Sequence, residues 1–293
     1  MKIGPTIKKR GASLSFEFFP PKDKAGEDKL IGNIMKLRDL KPTFVSLTYG
    51  AGGSTQKNTR ELILRIKQET GMVSMPHLTC INQSMDELKA ILEDYRRLGI
   101  KNVLALRGDP PEGTEKFTPG KNGHYHAKDL VRLAASLSGF SIGVAIYPEG
   151  HSESPNLEMD TLYTKEKIDA GADFAITQMF FDNRYYYELL ERVAKAGIKI
   201  PIIPGIMPIS DIGRIKNFSQ RCGATVPDHI VRRFAKAGSV AGEAVEVGIG
   251  VAIEQCADLL AHGIRYFHFY TLNRSDLVLR IVTELGLQNL GQK

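Results

Sequence analysis

A single carboxylate stands in an apolar run near the start of the chain. In Ser15-Phe16-Glu17-Phe18-Phe19, strand alternation sends Phe16 and Phe18 to one side and Ser15 and Glu17 to the other, which leaves Glu17 among apolar neighbours. An acid so placed is either paired with a base, Arg107 being the candidate, or keeps its proton near neutral pH and serves as a general acid. The run Val103-Leu104-Ala105-Leu106-Arg107-Gly108-Asp109 turns its leucines to one side and delivers a cation and an anion at its end, with Gly108 allowing close backbone approach to a ligand. His77 and Thr79 share one side of another run, and Tyr147, Glu149 and His151 follow a third. One strand histidine is ordinarily a core residue, but polar groups at successive strand ends point to a site.

Asp160, Tyr163 and Lys167 lie at i, i+3 and i+7 and share one helix face. That stripe is either a solvated face or a grip for an extended phosphate-bearing ligand, with Asp160 suited to ribose hydroxyls and Lys167 to a pyrophosphate. Gln178, followed by Met179-Phe180-Phe181-Asp182, puts an amide beside apolar surface, which suits a flat heteroaromatic ligand. Tyr49-Gly50-Ala51-Gly52-Gly53-Ser54 leads into a helix but lacks a P-loop pattern. Gly248-Ile249-Gly250 sits inside a helical pattern and marks close packing. His124-Tyr125-His126 has the spacing of a metal-binding pair without further ligands, and Cys80, Cys222 and Cys256 lie far apart and read as buried thiols. No metal site is expected.

These groups need elements to position them. The chain has 293 residues, 42% of them hydrophobic, and 39 Lys and Arg against 33 Asp and Glu give a net charge of +6. The excess is dispersed, which favours anionic small ligands over nucleic acid. No run approaches the roughly 18 apolar residues of a membrane span and the start has no apolar signal core, so a cytoplasmic chain with no membrane partner is expected. Residues 1–12 read as a flexible segment, with Lys8-Lys9-Arg10 solvated.

Extended runs at 14–19, 43–49, 75–80, 102–107, 141–147, 173–180, 199–206 and 264–271 alternate with amphipathic helices near 28–40, 57–69, 85–98, 128–137, 160–170, 183–196, 210–219 and 275–285. Ser84-Met85-Asp86-Glu87 is a capping box that starts one of them. The repeat of roughly 30 residues is the length of a βα unit. Eight such units predict an α/β chain folded as one (β/α)8 TIM barrel over 1–293, with extra helices at 227–234 and 242–262 before the last strand. The active site of such a barrel forms at the C-terminal strand ends.

The string of strand ends resembles the methylenetetrahydrofolate reductase family. The stretches that carry the resemblance are Ser15 to Pro21, Val45 to Ala51, Pro76 to Cys80, Ala105 to Asp109, Tyr147 to His151, Ile176 to Asp182, Pro204 to Pro208 and His268 to Arg274, in order along nearly the whole chain. The length is similar to that of the single-domain bacterial form. The resemblance implies an oxidoreductase that uses FAD and NAD(P)H to reduce 5,10-methylenetetrahydrofolate to 5-methyltetrahydrofolate, with a homo-oligomer possible. It implies Glu17 as the general acid and Asp109 as a catalytic residue touching both flavin and pterin. Thr48, Tyr49, Ala51, His77, Arg107, Gly108, Asp109, His126, Ala127, Tyr147, His151, Asp160, Tyr163 and Lys167 would then surround FAD, and Gln178, Phe218 and Arg274 would line the folate and nicotinamide site. At His126-Ala127 the family often has Tyr-Ala, and at Arg214 its bacterial members can have Gln. Another FAD-dependent barrel oxidoreductase, similar to proline dehydrogenase, or a non-catalytic flavin- or folate-binding protein are the alternatives.

Overall fold

In the computed structural model the apolar runs form parallel strands. The structure describes the chain except residues 22, 50–55, 109–125, 238–241 and 292–293, and only the backbone of 56–58 and 291. The strands are β1 (Ser13–Phe18), β2 (Phe44–Leu47), β3 (Ser74–Thr79), β4 (Asn102–Leu106), β5 (Ser141–Ile146), β6 (Phe174–Thr177), β7 (Ile202–Ile203), β8 (Gly205–Ile206) and β9 (Tyr266–Tyr270). Their order is β7-β6-β5-β4-β3-β2-β1-β9-β8. β7 and β8 are two halves of one barrel strand, interrupted at Pro204, which has no N–H to give to a ladder. The first half pairs with β6 and the second with β9, and the Pro204 carbonyl accepts from the His268 N–H at 3.0 Å. The sheet closes in this way as a (β/α)8 barrel.

Around it run α1 (Ile3–Arg10), α2 (Lys24–Lys36), α3 (Gln56–Thr70), α4 (Met85–Arg97), α5 (Ala127–Ser136), α6 (Leu157–Asp169), α7 (Asn183–Lys195), α8 (Ile212–Cys222), α9 (Asp228–Ala237), α10 (Glu243–Ala261) and α11 (Ser275–Glu284). The capping box of α4 forms, with Glu87 N–H donating to Ser84 Oγ and Ser84 N–H to Glu87 Oε2. Gly248 marks a close approach, since a Cβ there would stand 1.6 Å from the Ile209 carbonyl oxygen. Among the described residues no helix is long and apolar enough to cross a membrane.

The apolar side chains divide into layers. Phe16, Phe18, Val103, Ala105, Phe267 and Phe269 belong to the core between strands and helices, whereas Phe44, Met75, Leu104, Phe174, Ile176 and Ile203 fill the lower barrel interior. The leucines of β4 therefore do not face the helices as expected: Leu104 is inside and Leu106 packs against the interior group. Register explains this, because Leu104 is paired with the inward His77 and paired residues share a face. The apolar character of Leu could not choose the side, since both sides of this strand are apolar.

The start of the chain also differs from expectation. Residues read as a flexible segment form α1, which seals the N-terminal mouth of the barrel with Ile3 and Ile7 fully buried. Ile3 N–H donates to Asn102 Oδ1 and Gly4 N–H to Ser141 Oγ, both at 2.8 Å, at the first residues of β4 and β5. Lys8, Lys9 and Arg10 are exposed, but on the last helical turn, where cations suit the helix dipole.

Candidate active site

Glu17 emerges inward near the C-terminal end of β1, and two imidazoles meet it. His268 Nε2 of β9 lies 3.3 Å from Glu17 Oε2, and His77 Nε2 of β3 lies 3.4 Å from the same oxygen. All three side chains are buried. On its far side His268 Nδ1 is 2.8 Å from Ser15 Oγ, and its ring stacks on Phe44. The Thr271 hydroxyl donates to the Glu17 carbonyl at 2.6 Å and fixes the strand end. Burial pulls the Glu17 carboxyl up, but the two histidines outweigh it and hold the group down at about 2. Glu17 is thus not the apolar-caged acid with a proton near neutral pH that its sequence neighbours suggest; it is a carboxylate between two bases. Nor is Arg107 its partner.

Arg107 follows the alternation of Val103 and Ala105, away from the barrel interior, and its guanidinium is held two-pronged by Glu153, with Nη2 2.9 Å from Oε1. It lines a cleft of about 310 Å³ between the ends of β4 and β5 and helices α5 and α6. Arg107, His126, Ala127, Tyr147, His151, Asp160, Tyr163 and Lys167 come together in its wall, joined by Glu153, Lys128 and Glu166. The α6 stripe is therefore a cleft wall and not only a solvated face. His126 starts α5, its N–H donating to Asp129 Oδ2 at 2.9 Å. Asp160, 5% exposed, accepts at Oδ1 from the His151 N–H and the Ser154 hydroxyl, so it braces the loop that carries His151 and Glu153. Lys167 Nζ donates to the Ala145 carbonyl at 2.6 Å, and burial lowers its ammonium to about 8 against the pull of Asp160. Burial and the nearby Arg107 also lower His151, which packs edge-on against Tyr147.

The other expected residues lie around these two centres. Thr48 follows β2 with its N–H on the Phe18 carbonyl, and Tyr49 is buried. Gly108 has a φ of +91°, and a Cβ there would stand 2.6 Å from Ile81 Cγ2, so both conformation and space call for glycine. Gln178 follows β6, with Oε1 accepting from the Met179 N–H. Phe218 on α8 is 40% exposed, unusual for a phenylalanine. Arg274 precedes α11 beyond a turn with positive φ at Leu272 and Asn273, and Asn273 clamps that turn to both backbone groups of Phe19. None of these six lines the cleft of Arg107 and Lys167. Ala51, Asp109 and His124 fall outside the described residues. Among the described residues no group of three or more His, Cys, Asp and Glu is placed to hold a metal.

Sequence reasoning missed His268 and Glu153. His268 alternates with the outward Phe267 and Phe269, so the period of β9 marks it as inward, next to Glu17 across the β1–β9 pairing. Glu153 carried no strand signal, because it sits on the loop after β5. Cys80 and Cys256 are buried, as read from sequence, whereas Cys222 is only partly so.

Comparison with known proteins bears on this arrangement. The profile of the family described as Methylenetetrahydrofolate reductase matches residues 2–286. The 5,10-methylenetetrahydrofolate reductase of Escherichia coli K12 is 40% identical over 276 residues, covering 94% of this chain and 91% of that one. "Methylenetetrahydrofolate reductase (NADH) 1" of Arabidopsis thaliana is 37% identical over 98% of this chain and 50% of its own length. Among solved structures, an uncharacterized protein from Clostridium thermocellum, described as binding two copies of 5-methyl-5,6,7,8-tetrahydrofolic acid, superimposes with a TM-score of 0.64 at 12% identity, over 98% of this chain and 99% of that one. At that identity it supports the barrel fold alone. The sequence matches run through every strand end that builds the Glu17 centre and the Arg107 cleft, and on them the chain belongs to the methylenetetrahydrofolate reductase family.

Proposed function

We propose that this chain, a methylenetetrahydrofolate reductase by family, works through FAD held in the Arg107 cleft, with NAD(P)H and 5,10-methylenetetrahydrofolate using the barrel mouth in turn. The observation that carries this reading is the cleft's wall: Arg107, Lys128 and Lys167, each set beside a carboxylate of the same wall (Glu153, Glu166 and Asp160), offer orientable cationic donors next to two aromatic side chains, Tyr147 and Tyr163. The donor set fits a dinucleotide. His77 Nε2 faces the Glu17 carboxylate at 3.4 Å without a well-aligned hydrogen bond, so it borders the barrel mouth as a polar group with its geometry still open to adjustment.

In this reading Arg107, His126 and Lys167 hold the pyrophosphate, Tyr163 covers the adenosine half, and His77, Gly108 and Tyr147 border the ring system. Asp109 belongs to the same proposal as the group touching flavin and pterin. FAD, when bound, supplies a carrier that takes hydride from NAD(P)H and gives it to the folate methylene carbon. Gln178, Phe218 and Arg274 orient the folate, with Phe218 offering an exposed ring to stack on. Glu17 is the group that passes a proton to N10, so that the five-membered ring opens with its C–N electron pair left on nitrogen.

The test is an anaerobic absorbance experiment. The purified protein is expected to carry FAD, to bleach with NADH or NADPH, and to recover its flavin spectrum on adding methylenetetrahydrofolate. Release of FMN, or failure to reconstitute with FAD, would overturn the reading.

A further inference from the structure

The stretch after β5 alternates in what it reaches. Tyr147, His151 and Glu153 line the Arg107 cleft, whereas Glu149, set between them, is not in its wall. The Glu149 carboxylate reaches the other way and accepts from the Thr225 N–H with both oxygens, at 2.9 and 3.1 Å. Thr225 lies just past the end of α8. There Gly223 takes a φ of +71° and gives its N–H to the Ser219 carbonyl, which also accepts from the Ala224 N–H at 2.9 Å. The Thr225 N–H lies beyond that closure, and Glu149 supplies its acceptor.

The two turns also touch. A Cβ on Gly223 would meet the Gly150 carbonyl oxygen at 3.6 Å and Ser152 at 3.8 Å, ordinary contact distances. From another side α7 holds the same stretch, with Arg192 Nη2 donating to the Pro148 carbonyl at 2.8 Å. Ile215 of α8 is buried in an apolar group with Met207 and Phe234, and Ala224 and Val226 pack against that same group. The helix and the connection behind it are therefore held as one body. Glu149 is a direct polar link between that body, which carries Phe218, and the loop that carries His151 and Glu153.

Hydride passes only when the reacting atoms stand about 3–3.5 Å apart and aligned, and a misplacement of about 1 Å can cost about 10²-fold. A flavin bordered by Tyr147 and a ring stacked on Phe218 need their two supports at a fixed spacing. We propose that Glu149 is a positioning residue: by tying the loop of Tyr147 and His151 to the end of α8, it sets the spacing between the flavin and the substrate ring on Phe218. NAD(P)H and folate use the mouth in turn, so both half-reactions depend on it. This rests on the reading of the cleft as the FAD site and of Phe218 as the stacking surface.

The experiment compares wild type, Glu149→Ala, Glu149→Gln, Phe218→Ala and the double variant Glu149→Ala/Phe218→Ala as FAD-loaded enzymes. Anaerobic stopped-flow absorbance follows reduction by NADH and reoxidation by methylenetetrahydrofolate, and quenching of flavin fluorescence gives the FAD affinity. Glu149→Ala should slow both half-reactions about tenfold, while FAD affinity falls by less than about threefold. Gln keeps an acceptor oxygen for the Thr225 N–H and should return both rates to within about threefold of wild type. The Phe218→Ala background gives the readout that a merely structural role would not move. Without the ring the position of α8 loses its effect, so adding Glu149→Ala should cost less than about twofold more. If Glu149→Ala does not fold, Glu149→Leu, which keeps the bulk without the acceptor, takes its place in both backgrounds. Unchanged rates, losses that multiply in the double variant, or a loss of FAD affinity as large as the loss of rate would each overturn the inference. A wild type that holds FAD and is reduced by NADH but is not reoxidised by the folate would instead overturn the reading of the site, and the inference with it.

Discussion

Arg107 and Glu153 form a two-pronged ion pair across the mouth of the cleft, joining the end of β4 to the loop after β5. Arg107 is 16% exposed and Glu153 half exposed, so the pair contributes little to folding, but it fixes the plane of the guanidinium fork. A fork pre-set in this way meets a phosphate with less ordering cost than a mobile one.

Glu153→Gln should therefore weaken FAD binding about two- to fivefold, the equivalent of losing about 0.5–1 kcal/mol of ordering from a partly exposed pair, while the melting temperature hardly changes. Titration of the FAD-stripped protein, followed by quenching of flavin fluorescence, measures this. Unchanged affinity would show that Glu153 does not orient Arg107.

Lys167 gives the cleft a pH dependence. Its ammonium titrates at about 8 in the folded, cofactor-free protein, against an ordinary value of 10.5. The folded state thus holds this proton less readily than the unfolded chain. Through this one group the cofactor-free protein carries the full cost of the buried charge below pH 8, and gains stability as pH rises from about 8 toward 10.5. A pyrophosphate needs the charged form, so FAD binding takes up a proton above pH 8, and affinity should fall by up to about tenfold per pH unit there. Lys167→Met should bind FAD more weakly at pH 7 and lose the decline between pH 8 and 9.5, as read by equilibrium titration.

The barrel floor makes a separate prediction. Ile7 is fully buried among interior residues, so Ile7→Ala should cost about 2–4 kcal/mol in urea unfolding, as large-to-small core changes do. Lys9→Ala on the exposed side of the same helix should be neutral. Equal behaviour of the two variants would mean that α1 does not seal the barrel.

Much of this architecture is legible in the sequence, because period-2 runs and amphipathic helices alternate at a fixed interval and Glu17 and His77 declare their inward faces by alternation. The helix α1 is not legible: it shows only two apolar positions, Ile3 and Ile7, and Lys2 at its N-cap makes no side-chain cap. Docking into the barrel holds it, and docking is a tertiary fact. Arg107 is misread as a partner for Glu17 because the lower barrel interior is as apolar as the helix side, so the leucines of β4 do not reveal which way its end points. His268 is passed over because it is buried like a core residue; only its position opposite Glu17 gives it a second meaning.

The central claim is that Glu17 passes the proton that opens the folate ring, and Glu17→Gln tests it most directly. Reduction by NAD(P)H needs proximity and orientation but no acid aimed at N10, so the variant should retain FAD and be reduced within about tenfold of wild type. Reoxidation by methylenetetrahydrofolate should fall by about 10²- to 10⁴-fold, the loss typical of removing a general acid. Anaerobic stopped-flow absorbance resolves both halves in one protein. Reoxidation at close to the wild-type rate would contradict the account, and loss of FAD together with both halves would make Glu17 a structural partner of His77 and His268 alone.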